Sequence, residues 1–102
     1  MKFSDKVVLV TGSSQGIGAS LAKYFFKQGA NVIINYNRSK NKAISVCESF
    51  GDEKKYLVVK ADVSNYEEVR TMFAKIEDKF GNVDILVNNA AIYEDSTIWN
   101  MN

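Results

Sequence analysis

Four short apolar runs punctuate the chain, and stretches of helical period lie between them. The first run, Lys6 to Val10, shows no apolar–polar alternation, which predicts a strand covered on both faces, as in a parallel sheet. From Gly16 to Gln28 the apolar positions Ile17, Leu21, Ala22, Phe25 and Phe26 recur at helical spacing, and Gly29 follows as a C-terminal stop. Asn31 to Tyr36 reads as a second strand centred on Val32, Ile33 and Ile34. Lys40 to Phe50 reads as a second helix, with Ala43, Cys47 and Phe50 on one face and Gly51 at its end. A third strand spans Lys55 to Ala61. Ser64-Asn65-Tyr66-Glu67 then matches a capping box, in which the serine caps a helix and the glutamate reaches back. That helix carries Val69, Met72, Phe73, Ile76 and Phe80 on one face and stops at Gly81. Asp84 to Asn88 completes the series as a fourth strand.

The order β-α-β-α-β-α-β, with connections of a few residues, predicts an α/β domain of three layers. A parallel sheet lies between helices on both faces, wound right-handedly. Residues 1–102 form one domain with no linker, repeat or low-complexity run. After Ala91 the pattern weakens, and residues 92–102 complete no further element. Trp99 stands there either as an anchor for a further helix or as an exposed residue.

Composition narrows the function classes. Hydrophobic residues make up 46% and charged residues 25%, ordinary for a water-soluble globular protein. Thirteen basic against twelve acidic residues leave a net charge of +1, which offers no footprint for nucleic acid or an anionic membrane. No apolar run approaches the roughly 20 residues of a membrane span. The start, Met1 to Lys6, is too short and too charged for a signal peptide. The single cysteine, Cys47, excludes an internal disulfide and fits a cytoplasmic location; on its helix face it reads as a core thiol. With no histidine and one cysteine, the usual zinc sites and Ser-His or Cys-His nucleophiles are absent from this sequence.

The candidate chemistry sits between the first strand and the first helix, in Thr11-Gly12-Ser13-Ser14-Gln15-Gly16-Ile17-Gly18. A strand, a Gly-rich turn and a helix start are what a nucleotide pyrophosphate needs. The glycines admit it to the backbone, and the helix N-terminus supplies partial positive charge. Gly12 and Gly16 permit the tight turn, and Gly18 lets the helix pack closely. Ser13, Ser14 and Gln15 offer further donors to phosphate or ribose oxygens.

At this point the chain resembles the short-chain dehydrogenase/reductase family. Thr11-Gly12-x-x-x-Gly16-Ile17-Gly18 matches that family's cofactor turn at every fixed position. Asn88-Asn89-Ala90-Ala91 is similar to its second signature, with Ala91 in place of the usual glycine. The resemblance implies that Asn89, Ala90 and Ala91 line the adenosine and nicotinamide-ribose side of the site. It implies that the Asp62 side chain and the Val63 backbone contact adenine. It also implies the first part of a doubly wound Rossmann sheet, with strands ordered 3-2-1-4. The fourth strand is then an open apolar edge, which invites self-association or pairing with another chain.

Cofactor preference has its own argument. An NAD site places an acid about 20 residues beyond the glycines to bind the ribose 2′-OH. Here the second strand ends Asn35-Tyr36-Asn37-Arg38-Ser39-Lys40, with no acid. A neutral stretch followed by Arg38 suits a 2′-phosphate, because guanidinium pairs bidentately with phosphate. NADP is therefore expected ahead of NAD, with Tyr36, Asn37 and Arg38 at the ribose end. Two departures from the family pattern stand out: Arg38 lies slightly beyond the usual arginine position, and Gln15 replaces the base that many NADP-dependent relatives carry.

The family's catalytic Ser, Tyr and Lys and an additional Asn lie beyond the fourth strand, so none is assigned here. Two Tyr-x-x-x-Lys matches are rejected. Tyr56 and Lys60 fall in a strand, where four residues span about 13 Å. Tyr36 and Lys40 cross from strand into loop, whereas a helix brings such a pair to within about 6 Å along its axis. The expectation is the cofactor-binding part of an NADP-dependent carbonyl reductase or alcohol dehydrogenase. Within the family it looks most like 3-oxoacyl-(acyl-carrier-protein) reductases and glucose dehydrogenases. The alternatives are a non-catalytic dinucleotide-binding or interaction module that pairs with a separate chain, and a truncated product without function.

Overall fold

A computed structural model describes residues 2–89. The expectations for Ala90, Ala91 and Trp99 lie outside the described residues. Four strands alternate with three helices: β1 (Val7–Val10), α1 (Gly16–Lys27), β2 (Asn31–Tyr36), α2 (Lys40–Glu48), β3 (Tyr56–Lys60), α3 (Tyr66–Phe80) and β4 (Ile85–Val87). All pairings are parallel and the spatial order is β3-β2-β1-β4. Val10 sits opposite Ile34 on one side and Val87 on the other.

The unbroken apolar runs are explained by two cores, one on each face of the sheet. Alternate side chains of β1 and β2 (Val8, Val10, Val32, Ile34) pack under α1 and α2 against Ala19, Ala22, Ala43, Val46 and Cys47. The intervening ones (Val7, Leu9, Ile33) meet Met72 and Ile76 of α3. Each such side chain contributes about 1.5–3 kcal/mol on burial. Cys47 lies within the first core, and burial pushes its thiol up to about 12. The thiol is an inert core group at neutral pH.

Two expectations on local structure are corrected. The second helix stops at Glu48 instead of Phe50. The chain then turns so that the Phe50 ring stacks on Phe26, 4.2 Å between centroids. A single 3-10 turn over Glu53–Lys55 precedes β3, with the Asp52 carboxylate accepting from the Lys54 N–H. The α3 cap is shifted by one residue. Asn65, not Ser64, is the N-cap, its side chain accepting from the Glu68 N–H at 3.1 Å. Glu68, rather than Glu67, reaches back, and its Oε1 accepts from the Asp62 N–H at 3.0 Å.

Candidate functional site

The site is built at the C-terminal ends of the strands. Beyond Val10 the chain leaves β1 in a turn, with Gly12 and Gly16 at φ of +58° and +60°. A side chain at either position would be strained. A Cβ on Gly18 would come within 3.0 Å of the Gly12 carbonyl oxygen, Asn89 Nδ2 and the Ser13 Cα. The third glycine therefore lets α1 close against the turn and against the segment after β4. Asn89 completes that contact: its N–H donates to Thr11 Oγ1 at 2.9 Å and its Nδ2 to the Gly12 carbonyl at 3.2 Å.

Sequence reasoning passed over the residue that organises this end of the sheet. Asn35 is 2% exposed, near the end of β2. Its Oδ1 accepts from the Gly12 N–H at 2.9 Å, and its Nδ2 donates to the Ala61 carbonyl at 3.1 Å. One side chain thus ties the Gly-rich turn to the end of β3. The available signal was a polar residue in an otherwise apolar strand, whose amide both donates and accepts.

Ser13 does not play the part expected of it. It is fully buried, its hydroxyl donating to the Val10 carbonyl at 2.6 Å and accepting from the Asn35 N–H at 3.0 Å. Both the Gly12 and Ser13 N–H groups are spent on Asn35. The donors left for a ligand are those of the first turn of α1, which lack intrahelical partners. Ile17 stands 73% exposed on that turn.

The remaining predicted residues meet around a groove of about 500 Å³. Gly12, Ser14 and Gln15 come from the turn, Tyr36, Asn37 and Arg38 from the end of β2, Asp62 and Val63 from beyond β3, and Asn89 from beyond β4. Tyr36 is mostly spent in the core, whereas Asn37 and Arg38 are exposed. Asp62 accepts from the Ser64 hydroxyl at 2.6 Å and from the Ser64 N–H at 2.9 Å. These bonds hold its carboxyl below the usual range, and the charges of Arg38 and Lys60 add to the effect. Gln15 caps no helix N–H; its Oε1 accepts from Lys42 Nζ of α2 at 2.6 Å.

Neither Tyr-x-x-x-Lys match lies along one helix. Tyr56 and Lys60 are the first and last residues of β3. The Tyr56 ring packs edge-on against Phe50, 5.8 Å between centroids. Desolvation, followed by the charges of Cys47 and nearby carboxylates, raises its phenol further from the neutral range. Tyr36 ends β2, while Lys40 begins α2.

A parallel sheet ordered 3-2-1-4, with a Gly-rich turn after its first strand and a groove across its carboxyl ends, defines the dinucleotide-binding class of doubly wound folds. The model of the short chain dehydrogenase family matches residues 6–102. The chain belongs to that family. It is 41% identical over 100 residues to a 3-oxoacyl-[acyl-carrier-protein] reductase of Staphylococcus epidermidis, covering 95% of this chain and 40% of the relative. An uncharacterized oxidoreductase of Methylorubrum extorquens is 42% identical over 98 residues, again with 95% and 40% coverage. Among solved structures, a short chain dehydrogenase from Burkholderia cenocepacia in complex with NADP superposes with a TM-score of 0.83 at 36% identity, covering 92% of this chain and 39% of that one. A glucose/ribitol dehydrogenase from Brucella melitensis gives 0.84 at 28% identity, covering 91% and 38%. The chain thus spans 40% of the length of these curated relatives.

Proposed function

We propose that residues 1–102 are the cofactor-binding part of an NADP-dependent short-chain oxidoreductase acting on a carbonyl or alcohol carbon, with 3-oxoacyl thioesters as the leading substrate class. The observation that carries this reading is the groove itself. It joins the Gly-rich turn to a β2 end that has no acid and presents an exposed Arg38. The residues fit a dinucleotide: the volume is in the usual range for a ligand site, and α1 begins directly after the groove residue Gln15, with first-turn N–H groups that lack intrahelical partners. In this reading Ser14, Gln15 and the first turn of α1 hold the pyrophosphate. Asn37 and Arg38 hold the ribose 2′-phosphate. Asp62, kept ionised, accepts from the adenine amino group beside Val63. Asn89 faces the inner ribose.

The nicotinamide supplies hydride chemistry when bound, and these residues bind and orient it. The similarity to a 3-oxoacyl-[acyl-carrier-protein] reductase supports the substrate class, and a lone buried cysteine supports a cytoplasmic location. Replacing Arg38 with Asp in the whole protein tests the cofactor assignment. The expected result is a loss of about tenfold in NADPH affinity with NADH binding retained or improved, read by fluorescence titration. An unchanged preference removes Arg38 from the 2′-phosphate. A second reading, a binding module completed by another chain, draws support from the half-buried residues of β4, which pair only with β1 among the described residues.

A further inference from the structure

Two hollows meet at Ser14 and Gln15. One is the groove that carries Arg38 and Ser39; the other, of about 400 Å³, is lined by Lys23, Asn41, Lys42 and Ser45 between α1 and α2. The 2.6 Å bond from Lys42 Nζ to Gln15 Oε1 sits where they join. Lys42 is thereby drawn across from α2 onto the Gly-rich turn, 27 residues away in the sequence. Gln15 is neutral, so it positions the ammonium without cancelling its charge. The first turn of α2 contains no acid, and no carboxylate lies within 4.0 Å of either Lys42 or Arg38 among the described residues. Arg38 thus stands on the groove wall, where its charge is felt by Asp62 but forms no ion pair among the described residues, and Lys42 reaches the Gln15 that both hollows share. A phosphate monoester, with a charge of about −1.5 to −2 at neutral pH, matches two such cations, whereas a ribose hydroxyl gains nothing from the second.

We propose that Lys42, held on the turn by Gln15, is a second cation of the 2′-phosphate subsite and, with Arg38, sets the preference for NADPH over NADH. The proposal rests on the cofactor reading above and adds a specificity residue from α2. Cation supply at this rim then comes from a helix one strand further along the chain, in place of the turn itself.

The test uses the whole protein as the cell makes it, titrated with NADPH and with NADH at low and high salt. Wild type is compared with Lys42→Gln and Lys42→Arg. Lys42→Gln is expected to weaken NADPH binding about tenfold and to change NADH binding by less than about twofold. Its NADPH affinity should also fall less steeply with salt, since one exposed charge contact is gone. Lys42→Arg keeps the charge and should retain most of the preference. An unchanged NADPH-to-NADH ratio in Lys42→Gln overturns the assignment of Lys42 and leaves the cofactor reading standing. Equal losses for both dinucleotides also overturn it, placing Lys42 on the shared pyrophosphate or in the fold. A wild type that binds neither dinucleotide overturns both readings together.

Discussion

Asn35 illustrates how much a single side chain decides at the carboxyl end of the sheet. It satisfies the Gly12 N–H on one side and the Ala61 carbonyl on the other, the first bond part-buried and the second fully removed from water. Asn35→Ala leaves the buried Ala61 carbonyl without this donor, and the Gly12 N–H without its acceptor, which costs about 1–3 kcal/mol. Urea unfolding should show that loss, and dinucleotide affinity should fall with it, since the turn loses its brace. Full affinity in a destabilised variant would separate the brace from the site. Asp62 makes a second residue-level prediction. The Ser64 hydroxyl and N–H hold its carboxyl below the unfolded value. The sign follows from linkage: Asp62 adds stability above its unfolded pKa, and that stability is lost as pH falls through the depressed folded value. Carboxyl-carbon NMR titration should therefore give an Asp62 midpoint below the ordinary value, and Ser64→Ala should raise it. No change in Ser64→Ala would assign the depression to the backbone N–H of residue 64, with Arg38 and Lys60, instead of the hydroxyl.

Among the elements, helix ends were the least legible part of the chain. Four consecutive residues, Ser64 to Glu67, satisfy the capping pattern, yet the helix begins one residue later on Asn65. The overlapping set Asn65-Tyr66-Glu67-Glu68 has the same spacing, and what separates them is how the loop after β3 uses its polar groups. Asp62 captures the Ser64 hydroxyl, while Glu68 is needed at the Asp62 N–H. Asn65→Ala should cost about 1 kcal/mol, and Ser64→Ala clearly less, in denaturant unfolding. Equal costs would return the cap to Ser64. The end of α2 misled for a different reason. Phe50 continues the apolar face by spacing, but its ring is used against Phe26 and Tyr56 once the helix has ended.

At the level of the whole molecule, the two cores make the sheet interior self-consistent, and β4 is where that consistency stops. Ile85, Leu86 and Val87 are half-buried, and among the described residues they pair only with β1. A strand edge of this kind presents unpaired N–H and C=O groups to any other strand. The 102-residue polypeptide should accordingly associate with rising concentration in sedimentation experiments. Monomeric behaviour throughout would mean that the edge is protected, and would weaken the reading in which another chain completes the sheet.

Periodicity alone determined the element order, the parallel sheet and its two buried faces. Unbroken apolar runs of strand length have few other physical solutions when amphipathic helices separate them. The Gly-rich turn was equally visible, because the positive φ at Gly12 and Gly16 favours glycine and the contact at Gly18 leaves no room for a Cβ. What the tertiary structure decided was the use of each polar group. It turned Ser13 inward against Asn35, made Asn35 the brace of the turn and brought Lys42 onto Gln15. Those choices depend on which donors and acceptors remain once distant strands are in register. Spacing along one strand or helix carries no record of that remainder.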